Sequence, residues 1–333
     1  TNGAVAVVTA TANVNFAFGS WSGGGVPPGA TTNNPLTLPL DQARYVKANF
    51  YSLTPASREW TGVGTWFSTT NWNPAGLPGP QDALTIRSGT LTLTDPVGAA
   101  SFVVSNGATV LFTNWYASLN ASAVTVLSNG LVTHAVCNTN VVVANSNRVH
   151  IVCSNLTIAA YGAINVNSRG FAGGMYGQTP PSGTGPGGGV STSSRGGAGS
   201  YGGQGGNAGA TPGPPYGNFL APAEAGSGAG GGNAFGGSGG GAVWIQASGA
   251  VTVNGSILAD GGNGSGDQSA GGSGGGIYIA CDTFAGSGTL RAKGGDLGGN
   301  CGGGGGGRIA IVYNTVSQAA AGKPAAVFSV AGG

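Results

Sequence analysis

Apolar positions in this chain fall in short runs broken by Asn-Gly, Ser-Asn and Gly-Gly punctuation. Where the runs alternate with polar residues, as in Thr90-Leu-Thr-Leu-Thr94, the period is two, the mark of a strand with one buried face. Phe102–Phe112 and then Ala123–Leu127, Leu131–Val136, Val141–Ala144, Val149–Val152, Leu156–Ala159 and Ala163–Val166 read the same way. No segment carries a helical 3.6-residue period, so no helix is predicted and the fold class is all-β.

The last hundred residues add a repeat. Gly240-Gly-Ala-Val-Trp-Ile245, Gly275-Gly-Ile-Tyr-Ile279 and Gly306-Gly-Arg-Ile-Ala-Ile311 align, with 34 residues from Val243 to Ile277 and 32 from Ile277 to Ile309. Each unit reads as strand, turn, strand and glycine-rich return. A unit of this kind cannot bury its apolar face alone, whereas stacked copies can. The expected fold is therefore a right-handed parallel β-helix (β-solenoid) with a glycine-rich excursion and an N-terminal extended strand. Its divisions are 1–59, an N-terminal strand and loop; 60–168, β-helix coils; 169–240, a Gly/Pro-rich excursion; and 241–333, glycine-rich β-helix repeats. The excursion holds 28 glycines together with Phe171, Met175, Tyr176, Tyr201, Tyr216, Phe219, Leu220 and Phe235. Those side chains need burial, so an ordered excursion is expected. Its extended glycine strands have the option of associating in a three-fold conformation like polyproline II.

Residues 4–18 form one uncharged, proline-free strand candidate. A strand of this kind, left exposed, invites pairing with another chain. It is expected to act as a donor strand, with Val5, Val7, Val14, Phe16 and Phe18 as the subunit contacts. The competing reading pairs 4–18 within its own subunit.

Composition sharpens this picture. Only 6% of the 333 residues are charged and the formal net charge is +2, against about 25% charged residues in ordinary domains. Neither nucleic acid nor an anionic membrane has an electrostatic reason to bind. A surface so poor in charge is expected to associate with itself or with a matrix. No apolar run is long enough for a membrane span. The chain begins at Thr1 without Met, consistent with a removed leader and an extracellular or cell-surface location. Four cysteines suit an oxidising compartment. Pairs Cys137–Cys153 and Cys281–Cys301 would each span about one coil, with four buried thiols as the other reading.

Two motifs carry a resemblance. The first is Trp66…Asn71-Trp72…Pro74…Asp82-Ala-Leu-Thr-Ile86; the second is the pair Gly271–Ile279 and Gly302–Ile311. The chain resembles glycine-rich parallel β-helix surface proteins of bacteria, secreted and similar to autotransporter passengers. That resemblance implies secretion and a structural or adhesive role and transfers no catalytic residue. Unlike a typical passenger, the sequence shows no C-terminal membrane barrel and ends in Ala325–Val330 followed by glycine.

Candidate chemistry is sparse. His134 and His150 lie in neighbouring strand-like runs and would form an acid–base or metal pair only if stacked. Asp260, Asp267, Asp282 and Asp296 are the carboxylates available to a sugar-cleaving enzyme, with Arg291 or Lys293 as a proton acceptor. The other reading gives them turn amides to satisfy. Gly261–Asp267 approximates a calcium-binding nonapeptide, the one hint of a cofactor. Asn120, Asn155, Asn254 and Asn263 begin N-x-[ST] sequons. The expected function is a secreted structural protein that self-assembles head to tail into a filament, sheath or surface layer. Extracellular polysaccharide is a further partner. The alternatives are a β-helix polysaccharide lyase or hydrolase, and a monomeric adhesin or carbohydrate-binding protein.

Overall fold

A computed structural model describes residues 4–27, 29–137 and 147–333. The strand expected at Val141–Ala144 lies outside the described residues. Sheet dominates and helix is almost absent, as the all-β reading requires.

The N-terminal unit has four strands: β1 (Val5–Val8), β2 (Phe16–Ser22), β3 (Leu36–Pro39) and β4 (Lys47–Ser52). β1 pairs antiparallel with β3, and β2 with β4. Residues 4–18 are therefore not one strand. Asn15 has φ 64°, and Phe16 N–H donates to Asn13 O at 3.1 Å, a turn that separates β1 from β2. Asn tolerates this left-handed conformation better than most residues. Trp21, Leu36 and Leu38 form a small core, with Phe18 packed on it.

From residue 57 the chain passes alternately through two ladders. The first pass contributes β5 (Ser57–Trp60) and β6 (Val63–Thr65), and β7 (Trp72–Asn73) folds back on β5. The next contribute β8 (Ala83–Ile86) and β9 (Gly89–Leu93), β10 (Pro96–Val104) and β11 (Ala108–Phe112), β12 (Ser118–Val126) and β13 (Leu131–His134), then β14 (Val149–Ile158) and β15 (Ala163–Asn165). Beyond the excursion come β16 (Ala242–Ala247), β17 (Ala250–Val253) and β18 (Ser256–Leu258), followed by β19 (Gly276–Cys281), β20 (Thr283–Ala285) and β21 (Thr289–Arg291). The last pass holds β22 (Arg308–Tyr313), the helix α1 (Thr315–Ala321) and β23 (Val327–Ser329). One ladder runs β22-β19-β16-β14-β12-β10-β8-β5-β7, and the other β23-β21-β18-β15-β13-β11-β9-β6. Every pairing in both is parallel except β5 with β7.

Register follows the apolar pattern. Val149, Val243, Ile277 and Ile309 stand in one column, and Ile151, Ile245, Ile279 and Ile311 in the next. The 34- and 32-residue intervals of the sequence are thus real pairings. In the second ladder the column is Leu91, Val110, Val132, Ile164, Ile257, Leu290 and Phe328. These columns face each other in one continuous core. Each fully buried branched or aromatic side chain there contributes about 1.5–3 kcal/mol of transfer free energy.

The glycine-rich returns and the excursion pack as extended segments of another kind. Along 270–275, Ala270 and Ser273 donate to Gly230 O and Ser227 O, Gly271 and Gly274 to Gly302 O and Gly305 O, and Gly272 and Gly275 to Gly262 O and Ala259 O. The direction of the N–H recurs every third residue. Carbonyls repeat it, since those of Ala270 and Ser273 accept from Gly237 and Gly240, the donors being 2.8 Å away in both cases. A strand sends its bonds to two sides, whereas a three-residue turn sends them to three. The spacing requires glycine: a Cβ on Gly271 would lie 1.9 Å from Gly295 O. Phe171 and Tyr201 are buried in the excursion, while Tyr176, Phe219, Leu220 and Phe235 are exposed.

Candidate subunit interface

The two ends of the stacked strands differ. At the β5 end, Trp60, Trp66 and Trp72 are buried and meet edge to face, with ring centroids 5.1 and 5.4 Å apart. β7 covers the outer edge of β5. Arg58, itself buried, pairs with buried Asp82 at 2.8 Å, and Asp82 also accepts from Ala56 and Gly79 N–H. This end is closed by bulk and by satisfied polar groups.

At the other end β22 pairs only with β19, and β23 only with β21, among the described residues. Between them opens a groove of about 850 Å³ lined by Phe284, Ile309, Ile311, Tyr313, Ala326 and Phe328, among others. Column residues that are at most 2% exposed in earlier passes end here in Phe328, at 48%. Val312, Val327 and Val330 are exposed beside it.

The strand β20 is treated differently. α1 lies against it, and the side-chain amide of Gln318 stands where another strand would pair. Gln318 Oε1 accepts from Phe284 N–H at 2.7 Å, and Nε2 donates to Phe284 O at 3.0 Å. α1 was not expected from the sequence. Asn314 starts it by accepting from Val316 and Ser317 N–H, the usual N-cap role of Asn. One edge is therefore capped by a single residue while its two neighbours stay open.

At the N-terminal unit, Val5, Val7, Val14 and Phe16 are exposed at 57%, 62%, 85% and 48%. Phe18 is not available as a contact in the same way: it stacks on Trp21 and Phe50 at 5.3 and 6.1 Å in its own small core. β1 has no partner on its outer edge among the described residues. Four of the five residues expected at a subunit contact are thus exposed apolar side chains.

The expected disulfides are not formed. Cys137 sits with Phe171, Ala225 and Ala242, its thiol toward Asn147 O at 4.0 Å, whereas Cys153 belongs to the main core. Cys281 packs against that core, and Cys301 against Ala198, Ala229 and Ala270. The members of each proposed pair lie in separate apolar clusters. Burial pushes the Cys153 and Cys281 thiols up to about 11, which leaves them protonated and unreactive at neutral pH.

The histidines are not a pair. His134 is fully buried; Nδ1 donates to Ala135 O at 2.7 Å and Nε2 accepts from Ala242 N–H at 3.0 Å. Burial lowers its pKa to about 4. It ties β13 to the start of β16. His150 lies on the outer face and contacts Gln246 Oε1 at 3.2 Å. Asp260 accepts from Arg291 at 2.7 Å and from Lys293 N–H at 2.9 Å, so both proposed bases lie beside it in a backbone-bracing cluster. Asp296 N–H donates to Asn263 Oδ1. Asn155 and Asn254 likewise accept from amides of the following pass. Among the described residues no group of three or more His, Cys, Asp or Glu gathers to hold a metal ion, and no helix is long and apolar enough to cross a membrane.

The open end went unnoticed in the sequence, although a signal was present. Arg308–Ile311 is the third aligned copy of the repeat, and it forms β22 at the open edge. No protein-family model, curated protein or solved structure matches the chain.

Proposed function

We propose that this chain is a parallel β-helix subunit of an extracellular filament, sheath or surface layer that grows head to tail. The alternation of successive passes between two parallel ladders in unbroken register supports the β-helix. The observation that carries the assembly is the asymmetry of the ends: an apolar groove flanked by the open edges of β22 and β23, beside an edge already capped by Gln318. Unpaired strand edges next to exposed apolar side chains favour addition of another strand. The occupant is the N-terminal unit of a second copy, offering the outer edge of β1 and the side chains of Val5 and Val7. Unlike surfaces that meet head to tail propagate into an open polymer. The low charge, 6% of residues, leaves little repulsion to oppose it. The secreted bacterial β-helix surface proteins remain the group this chain resembles, and an extracellular location rests on that resemblance.

Electron microscopy and sedimentation of four samples test the reading. The unaltered protein is expected to form fibres. Val5→Lys with Val7→Lys blocks the head, and Val312→Lys with Val327→Lys blocks the tail; each variant alone stays folded and monomeric. Mixed, the two variants form a dimer through the surfaces left intact. A monodisperse unaltered monomer, or fibres of undiminished length from either variant, would end the proposal.

A further inference from the structure

Along the outward face of β14, β16 and β19, register places His150, Trp244 and Tyr278 in one column. Trp244 meets Tyr278 with ring centroids 5.1 Å apart, and His150 at 6.2 Å. Beside this column runs a shallow cleft of about 500 Å³ walled by Asn120, Ser154, Gln246 and Ser248, among others. Gln246 joins the two, being two residues from Trp244 and bonded to His150. An aromatic stripe next to a row of amides and hydroxyls is a surface suited to sugar rings and their hydroxyl groups.

Arg148 makes the site more specific. Its guanidinium is held between two indoles, 4.0 Å from the Trp115 ring centroid and 4.9 Å from that of Trp244. It enters none of the ion pairs of the described residues. Among the described residues its one side-chain hydrogen bond is to His150 Nδ1, at 3.4 Å. Arg148 Nε and Trp244 Nε1 are enclosed and meet no acceptor among the described residues. An unsatisfied buried donor costs about 1–3 kcal/mol, and two stand here side by side around an uncompensated cation. Burial also lowers the Arg148 pKa to about 10, leaving it charged at neutral pH.

We propose that this face binds a polysaccharide that carries carboxylate groups, a polyuronate. Arg148 receives the carboxylate, for which a guanidinium is the preferred partner, and Trp244 and Tyr278 receive the sugar rings. Single-stranded nucleic acid also stacks on aromatic side chains, but it is held by a basic groove tracking many phosphates. This patch has one cation, on a chain of net charge +2. The proposal is independent of assembly, because none of these residues lies at either end of the ladders.

Isothermal titration with a galacturonate oligosaccharide tests it, against a neutral gluco-oligosaccharide of equal length and an oligo(dT). Binding of the galacturonate oligosaccharide alone is expected, weakening with added salt. Arg148→Gln and Trp244→Ala should each weaken it tenfold or more, Arg148→Lys less, with melting temperatures little changed. Tyr278→Ala, at a half-exposed position, decides the stacking role if Trp244→Ala does not fold; it keeps the charge and should lose several-fold. Equal binding of the neutral sugar or of oligo(dT), no binding at all, or undiminished binding by both Arg148→Gln and Tyr278→Ala would overturn the proposal.

Discussion

In the ladders each backbone N–H reaches one of two neighbours and side chains fill the space between sheets; in the glycine-rich layer it reaches one of three, and almost no side chains are present. The ladder core tolerates hydrophobic exchange of similar volume, because side chains adjust. The layer at 270–275 has backbone on every side, and backbone cannot move aside. A fold held by side chains is specified by their order, whereas a fold held by main-chain bonds is specified by where side chains are missing.

Substitutions that add atoms to the layer should therefore do the most damage. Gly271→Ala puts a Cβ 1.9 Å from Gly295 O; the expected loss exceeds the about 1–3 kcal/mol usual for overpacking. Gly203→Ala in the same layer meets nothing nearer than 3.6 Å and should be close to neutral. Urea denaturation of the two variants makes the comparison, and equal stabilities would remove the distinction between layer and ladder. In the ladder, Leu91→Ala deletes a side chain with no exposed surface and should cost about 2–5 kcal/mol. A loss well under 1 kcal/mol would mean that the ladder core is loosely packed.

His134 ties the two regions together, and its effect depends on pH. Its pKa in the folded protein lies below its ordinary value of 6.5, at about 4. The unfolded chain therefore takes up the proton first. The stabilisation is complete above about pH 6.5 and is lost as pH falls toward 4, amounting to at most about 3 kcal/mol. Protonation would also remove the acceptor for Ala242 N–H. Denaturation midpoints between pH 7 and 4 should fall more steeply for the native protein than for His134→Gln; parallel curves would show that His134 does not link them. The smallest effect is expected at a single turn amide. Asn263→Ala leaves Asp296 N–H without its 2.9 Å acceptor and should cost about 1 kcal/mol, with faster hydrogen exchange confined to that turn.

The ladders were legible because their residues announce their period. The spacing of Val243, Ile277 and Ile309 gave the register directly, and β14 differs from the reading only in uniting two short runs across residues 153–155. The glycine layer was not legible in the same way. Glycine has no side chain with which to display a period of three, and the sequence cannot show which of several equivalent segments will be neighbours. The division of 4–18 had a signal in Asn13 and Asn15, masked by the apolar residues on either side. α1 was hidden because its residues, Thr315–Ala321, are few and largely small. The cysteine pairs failed for a related reason: distance along the chain says how many strand passes separate two thiols, not which apolar cluster each enters.

The excursion also sets a clock. β15 ends at Asn165 and β16 begins at Ala242, so residues 166 to 241, 76 in all, must be made before the ladder can continue. At about 5–20 residues per second of synthesis, the growing chain carries β14 without its next strand for about 4–15 s. Pairing within a hairpin is complete in microseconds, so this wait is long on the scale of misassociation. Nascent chains sharing one messenger would be most exposed to cross-pairing during that interval.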